Sequence, residues 1–281
     1  MKPTRPAAVL LAAGLLLLAV AAPLGAEEPL RVDEPLRVYA AGSLRRALTE
    51  VAAAFTESTG ILVEATFGAS GLLRERLEGG ERADVFASAD MDHPRQLAAQ
   101  GLAGPVTVFT RNRLCALARP GLMVTSEDLL DRMLDPAVQL GTSTPRADPS
   151  GDYAWAVFER AEAVRPGAQA RLEAKALMLT GGREAPVVSP SGRSVYTELI
   201  LTGAADLVLT YCTNAVVSHR ELPPARVIEL PPALAVSADY GVTALIGPRD
   251  ADAARLIAFL HSPAGQAILQ RHGFASPGTG G

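Results

Sequence analysis

The sequence predicts an α/β fold with largely parallel strands. Short β runs alternate with amphipathic helices along the chain, and this alternation is typical of α/β units. Several turns between a β run and the following helix contain serine or glycine, which suit a helix start or a tight turn. The 281 residues are enough for one large domain or two modest ones once a leader segment is set aside.

The elements follow in order, each placed by its hydrophobic period and its turn residues. The predicted strands are 36–40, 61–67, 84–89, 113–118, 139–142, 206–211, 226–230 and 240–246. The predicted helices are 43–60, one that starts at Ser70 and stops at Gly79-Gly80, one through Tyr153, Val157 and Ala161, and 168–179, 194–201, 250–260 and 264–272. Glycine and proline mark the breaks, and the Gly- and Pro-rich stretch 181–192 is a predicted loop.

Composition excludes several classes of protein. The formal net charge is −4, so the chain has no basic excess with which to neutralise phosphates, and a nucleic-acid partner is disfavoured. Two cysteines, Cys115 and Cys212, are too few for a disulfide framework or a zinc ribbon. The four histidines lack short metal-ligand spacing, so neither a metal cation nor a cofactor is predicted.

The N-terminus, residues 1–26, has the pattern of a secretion signal. Lys2 and Arg5 precede an apolar run over 7–22, and small residues end at Ala26 before an acidic pair. The alternative is a membrane anchor, but the run of 16 residues is shorter than the ~20 that a spanning helix needs. We expect cleavage near Ala26 and a mature protein that is soluble and exported.

Three predicted turns place a serine at a helix start: Ser43, Ser70 and Ser150. Helix N-termini present free N–H groups and the positive end of the peptide dipole, so N-termini that converge can hold an anion. In an open parallel sheet such turns meet at the carboxyl ends of the strands, where ligands bind. The alternative is simple capping, because serine is a preferred N-cap in any helix.

The motifs that carry these turns resemble those of periplasmic molybdate-binding proteins, the receptors of molybdate ABC importers. They are Tyr39-Ala40-Ala41-Gly42-Ser43-Leu44, Phe67-Gly68-Ala69-Ser70-Gly71, Ala83-Asp84-Val85-Phe86-Ala87-Ser88-Ala89-Asp90, Asn112-Arg113-Leu114, Asp148-Pro149-Ser150-Gly151-Asp152-Tyr153-Ala154, Gly203-Ala204-Ala205-Asp206, Tyr211, Phe259-Leu260-His261-Ser262-Pro263-Ala264-Gly265-Gln266 and His272-Gly273-Phe274. The resemblance extends over nearly the whole mature chain in order. It is specific as a set, although each motif alone is weak.

The resemblance implies a two-lobed periplasmic binding protein of type II, an α/β fold with a ligand cleft between the lobes. The first lobe is expected to hold 36–111 and 240–276, and the second 112–239, followed by a flexible tail over 277–281. In this arrangement the oxyanion is held by neutral hydrogen-bond donors from both lobes.

Carried over residue by residue, the resemblance implies five ligand-binding residues. Ser43 and Ser70 give hydroxyl and backbone donors from the first lobe. Ser150 stands where the family usually has alanine and uses the backbone N–H. Tyr211 matches the tyrosine whose hydroxyl reaches the ligand, and a count back from it puts Arg193 where the family has a small apolar residue.

Arg193 is the main departure from the family pattern, and two interpretations are open. Its side chain can point to solvent while the backbone N–H serves the ligand. Alternatively the guanidinium enters the cleft, where its fork of donors suits a carboxylate, a phosphate or another anion. The second interpretation is slightly favoured, because Ser150 and the segment around Cys212 also depart from the family pattern on the same side of the cleft.

The predicted function is capture of an oxyanion, molybdate or tungstate first, and its delivery to the membrane permease of an ABC importer by a monomer. The alternative is a receptor for another small anion that acts through a membrane signalling partner. Enzymatic activity is not predicted, because no histidine is placed as a base for the serines. Cys115 is predicted to be a buried apolar residue, and the two cysteines can pair if both lie on the interlobe strands.

Overall fold

The computed structural model describes Met1, residues 34–185 and residues 191–278. The predicted signal segment lies outside these residues apart from Met1, as does the end of the predicted tail. Within the described residues, no helix combines the length and the apolar character needed to cross a bilayer.

The described residues contain strands and helices in alternation. The strands are β1 (Leu36–Ala41), β2 (Val63–Gly68), β3 (Val85–Ala87), β4 (Thr107–Ala118), β5 (Leu140–Ser143), β6 (Leu177–Thr180), β7 (Leu207–Tyr211), β8 (Arg226–Glu229) and β9 (Ser237–Ala244). The helices are α1 (Arg45–Thr59), α2 (Ser70–Glu78), α3 (Asp92–Ala99), α4 (Leu129–Leu134), α5 (Pro149–Val164), α6 (Ala168–Lys175), α7 (Val195–Leu201), α8 (Cys212–Glu221), α9 (Asp250–His261) and α10 (Pro263–Arg271). A 3₁₀ turn over Gly42–Leu44 leads into α1.

The first lobe is built on the strand order β2-β1-β3-β9-β4. β1 pairs in parallel with β2 and β3, and β9 runs antiparallel to β3 and β4. Alternate residues of β1 face opposite sides, so Leu36 and Val38 join the main core while Tyr39 joins a smaller cluster with Leu73 and Leu97. Helices therefore cover both faces of this part of the sheet, as burial of a parallel sheet requires.

The second lobe is built on the order β6-β5-β7-β4, with β8 also paired to β4. β5 pairs in parallel with β6 and β7, whereas β7 and β8 run antiparallel to β4. Phe158 of α5 and Leu172 of α6 belong to the main core on one face, and Ile200 of α7 and Ala215 of α8 belong to a second cluster on the other. Like the first lobe, the second is thus a sheet covered by helices on both faces.

Strand β4 runs through both lobes and joins them. Its residues Thr107 to Arg113 pair with β9, and Leu114 to Ala118 pair with β7. The Leu114 amide donates to the carbonyl of Val236 (3.2 Å), where the chain returns towards β9. The predicted two-lobed α/β fold is confirmed, while the exact residue boundaries of the lobes stay a prediction.

Several elements differ from those predicted. β4 begins six residues before the predicted strand at 113, and residues 177–179 form β6 instead of extending a helix. Helices α3, α4 and α8 were not predicted. α6 ends at Lys175 because Leu177 to Thr180 pair with β5, so strand pairing overrides the helical propensity of this apolar segment.

Cys115 and Cys212 form a disulfide, with their Cα atoms 4.8 Å apart. Cys115 lies on β4 beside Thr210 of β7, and Cys212 is the first residue of α8. The bond therefore ties the strand that joins the lobes to the start of a helix in the second lobe. It closes a loop between residues 97 positions apart, so its loss leaves the unfolded chain much freer.

We expect reduction of this disulfide to lower the free energy of unfolding by about 2–4 kcal/mol, because the cross-link restricts the unfolded chain. Urea unfolding followed by circular dichroism, with and without dithiothreitol, measures the difference. The Cys115→Ala/Cys212→Ala double variant is the control and should show one stability in both buffers. Equal stability of the native protein in both buffers would contradict the expectation.

Candidate functional site

A cavity of about 290 Å³ lies between the two lobes. Its walls come from the carboxyl ends of strands in both lobes, and include the last residues of four strands: Ala41 of β1, Gly68 of β2, Thr180 of β6 and Tyr211 of β7. This is where ligands bind in open α/β sheets. The structure brings three of the predicted site residues to the cavity wall: Ser43, Arg193 and Tyr211.

Ser43 is held by a chain of hydrogen bonds that begins on β4. The Asn112 side-chain amide donates to the Thr213 hydroxyl (2.9 Å) and to the Tyr240 phenol (3.3 Å). The Tyr240 phenol lies 2.9 Å from the Ser43 hydroxyl. Because Tyr240 accepts from Asn112, it can give its own proton to Ser43, and the Ser43 proton is then free for a ligand. Burial raises the pKa of Tyr240, so this phenol keeps its proton.

Tyr211 presents a buried hydroxyl that lacks a hydrogen bond of normal geometry among the described residues. The residue is 2% exposed, and its ring packs edge-on against Tyr240 (5.6 Å between centroids) and Tyr153 (6.3 Å). Burial raises the pKa of the Tyr211 phenol well above its usual value, with the nearby Tyr240 phenol adding to the effect. A buried neutral donor without a partner costs free energy, which a ligand oxygen in the cavity can recover.

Ser70 and Ser150 are not among the lining residues, and their ligand roles stay predictions. The buried Ser70 hydroxyl accepts from the Ala89 amide (3.2 Å). The Ser150 amide donates to the Asp148 carboxylate (3.2 Å), and the Ser150 hydroxyl has no partner among the described residues. Neither serine caps its helix, because Ala69 occupies the N-cap position of α2 and the side chain that caps α5 belongs to Asp148.

Three arginines line the cavity: Arg45, Arg46 and Arg193. The Arg45 guanidinium lies 4.6 Å from the centre of the Phe67 ring, and the exposed Arg193 donates its backbone amide to the Ser191 hydroxyl (3.3 Å). Neither guanidinium forms an ion pair within the described residues. Burial lowers the pKa of Arg45, but a guanidinium keeps its charge in proteins. Two unpaired cations thus border the cavity.

Asp148 is the one carboxylate in the described part of the cavity lining. It follows β5 and caps α5, with Oδ1 accepting from the Ser150 amide and Oδ2 accepting from the Ser143 hydroxyl (2.6 Å). Burial raises the pKa of this carboxyl group. Elsewhere in the described residues, no group of three or more histidine, cysteine, aspartate or glutamate side chains is placed to hold a metal ion.

The family model for bacterial extracellular solute-binding proteins matches residues 36–275. The chain belongs to this family. An uncharacterised relative from Pasteurella multocida is 35% identical over 239 residues, which cover 84% of this chain and 97% of the relative. The molybdate-binding protein ModA of Mycobacterium tuberculosis is 27% identical over 258 residues, which cover 85% of this chain and 84% of ModA.

The fold of this solute-binding protein is also that of a solved molybdate-binding protein. The periplasmic protein of Azotobacter vinelandii superposes with a TM-score of 0.70 at 21% identity, covering 86% of this chain and 99% of the other. The resemblance predicted from the motifs is confirmed, and the low identities make this chain a divergent member. Family and fold are those of substrate-binding proteins.

The residues of the cavity wall that the sequence reasoning missed include Arg45, Asp148, Thr180 and Tyr196. Arg45 and Asp148 each lie within two residues of a predicted serine, so the turns themselves carried a signal. Thr180 could not be placed, because its strand was predicted as a helix. Burial raises the pKa of Tyr196 to about 12, and its position on α7 emerges only when that helix packs against α8.

The lobes of this solute-binding protein touch through a backbone contact beside the cavity. The Gly71 amide at the start of α2 donates to the carbonyl of Ala147 ahead of α5 (2.9 Å). A Cβ atom at Gly71 would lie 2.3 Å from the Arg146 oxygen and 2.8 Å from that of Ala147. The two lobes can approach this closely only because position 71 has no side chain.

We expect Gly71→Ala to hold the lobes apart, because the added Cβ would overpack this contact. The arrangement in which the two lobes touch should be destabilised by about 1–3 kcal/mol. Small-angle X-ray scattering should give a larger radius of gyration than that of the wild type. Gly104→Ala is the matched control, because a Cβ there meets only the Ala244 oxygen at an ordinary 3.7 Å. The same radius of gyration in all three proteins would argue against this contact in solution.

Proposed function

We propose that this protein captures an oxyanion in the interlobe cavity and delivers it to the membrane permease of an ABC importer. The observation that carries the proposal is the buried hydroxyl of Tyr211, which lacks a hydrogen bond of normal geometry among the described residues and belongs to the same cavity wall as Ser43. Donors from both lobes can then bind one anion, and the bound anion stabilises the arrangement in which the two lobes lie close together. Molybdate and tungstate are the first candidates, because named relatives bind molybdate.

Neutral donors suit such a ligand because they match a dianion without demanding a counter-ion. Hydrogen bonds to a charged group are roughly twice as strong as those between neutral groups. The N-terminus of α2 adds the positive end of its peptide dipole, and the residues just before it, Gly68 and Ala69, line the cavity. Arg45 and Arg193 add a positive field that attracts the anion to the cavity mouth.

The protein is proposed to act in the periplasm as a monomer after cleavage near Ala26. The disulfide between Cys115 and Cys212 supports export, since structural disulfides persist in oxidising compartments. Closure of the lobes around the anion gives the permease a shape that differs from that of the empty receptor. Delivery then requires that the permease favour the open arrangement once docked.

Isothermal titration calorimetry with molybdate, tungstate, sulfate and phosphate tests the proposal. We expect Tyr211→Phe and Ser43→Ala each to weaken binding at least tenfold, or about 1.5–3 kcal/mol, the value of a hydrogen bond to a charged group. Tyr39→Phe is the matched control, because its phenol bonds Arg76 and Glu81 outside the cavity. Wild-type affinity in both site variants would place the site elsewhere.

Arg193→Ala tests whether this guanidinium enters the cleft. We expect at least tenfold weaker binding and a changed order of affinity among the four anions, because a desolvated cation discriminates by geometry. Arg160→Ala, on the exposed side of α5, removes the same charge away from the cavity and should change affinity by less than ~0.5 kcal/mol. An unchanged order of affinity in Arg193→Ala would mean that the side chain faces solvent.

A further inference from the structure

The Asp148 carboxylate makes this cavity unlike a site built for a bare anion. Both carboxylate oxygens accept hydrogen bonds, from the Ser143 hydroxyl and the Ser150 amide, and these two donors favour the charged form against the burial that raises the pKa of this group. Its remaining surface faces the cavity. A fully deprotonated oxyanion placed beside it would meet a like charge and would have no proton to donate.

Two further features surround Asp148. The neighbouring Thr180 hydroxyl is buried and lacks a hydrogen bond of normal geometry within the described residues. At Gly181 an added Cβ would lie 2.2 Å from the Ser143 hydroxyl oxygen and 2.6 Å from Asp148 Oδ2, so the Gly181 backbone packs directly against this hydrogen-bonded pair. Asp148 is therefore a carboxylate acceptor in the cavity lining, and the lone pairs that Ser143 and Ser150 do not use suit a ligand hydroxyl that donates to it.

The volume of the cavity also favours a ligand larger than a bare tetrahedral oxyanion. The four oxygens of a tetrahedral oxyanion take the place of about four waters, roughly 40–60 Å³ at about 10–15 Å³ of such cavity volume per water. The cavity measures about 290 Å³, close to the lower end of the range for small organic ligands. A bare oxyanion held by Ser43 and Tyr211 would fill only part of this volume.

We propose that the ligand is a small organic anion that carries a hydroxyl group beside its oxyanion group. Ser43, Tyr211 and the arginines hold the oxyanion, and Asp148 accepts a hydrogen bond from the hydroxyl. This inference rests on the proposed capture of an anion in the same cavity and specifies its substrate class. Asp148 is then the residue that selects hydroxyl-bearing anions over molybdate and sulfate.

Calorimetry with a matched pair of organic phosphates tests the assignment. Glycerol 1-phosphate and n-propyl phosphate have the same carbon chain and the same oxyanion, and only the first has hydroxyls. The wild-type protein should bind glycerol 1-phosphate at least tenfold more tightly, because a buried acceptor built for a hydroxyl is left unpaired by the analogue. Molybdate titrated in the same buffer reports on the bare oxyanion.

Asp148→Asn keeps a residue that caps helices well and removes the charge. In this variant the preference for glycerol 1-phosphate should fall below about threefold, and molybdate should bind more tightly than to the wild type. Asp128→Asn is the control, since Asp128 occupies the N-cap position of α4 outside the cavity and carries the same charge. It should keep the wild-type preference, and melting temperatures verify that each variant folds.

The outcomes separate the two proposals. Equal binding of both organic phosphates by the wild type, or an undiminished preference in Asp148→Asn, overturns the role of Asp148 while anion capture stands. Binding of molybdate without binding of either organic phosphate does the same. If none of the anions binds to the wild type, capture of an oxyanion in this cavity is itself overturned, and the inference that rests on it falls too.

Discussion

The site depends on a hydrogen-bond chain that starts at Asn112. This residue lies on β4 where the strand passes from one lobe to the other, and its amide reaches Thr213 in the second lobe and Tyr240 on β9. Tyr240 in turn contacts Ser43 in the first lobe. One side chain thus positions donors on both walls of the cavity. Any displacement of β4 relative to α8 moves the Ser43 hydroxyl as well.

Electrostatics at the cavity is a balance between two kinds of group. Arg45 and Arg193 supply positive charge without ion-pair partners in the described structure, whereas Asp148 is the one carboxyl group among the described lining residues. A ligand with an anionic end and a hydrogen-bond donor at its other end matches this polarity. A symmetric anion matches only one half of it, so charge distribution, beyond net charge, decides what fits.

The fold could be predicted from local patterns because most elements carry their own signals. Gly60 ends α1 in the left-handed conformation, as glycine after a helical pattern indicates, and Pro263 opens α10 with Ser262 as its cap. β6 was predicted wrongly, because an apolar segment of four residues gives no reliable period and is fixed by pairing with β5. Helix α8 starts directly after β7, without a turn residue to mark the change.

The site residues that belong to a recognisable sequence motif could be predicted. Those whose role depends on how distant elements pack could not. Ser43 and Tyr211 were identified from motifs and do line the cavity. The Ser70 hydroxyl oxygen accepts a hydrogen bond from the Ala89 amide. The two residues are 19 positions apart in the chain, so no local sequence pattern reveals this contact. The importance of Asp148 depends on its free face towards the cavity, which is a property of the folded chain.

The disulfide between Cys115 and Cys212 gives the sequence a different stability on the two sides of a membrane. Its two thiols meet only when β4 and β7 are paired, one residue from Tyr211. In a reducing cytoplasm the disulfide is absent, so the free energy of unfolding is lower and the chain stays unfolded more readily before export. Oxidation outside the cytoplasm then links β4 to the first residue of α8, next to Tyr211 on the cavity wall.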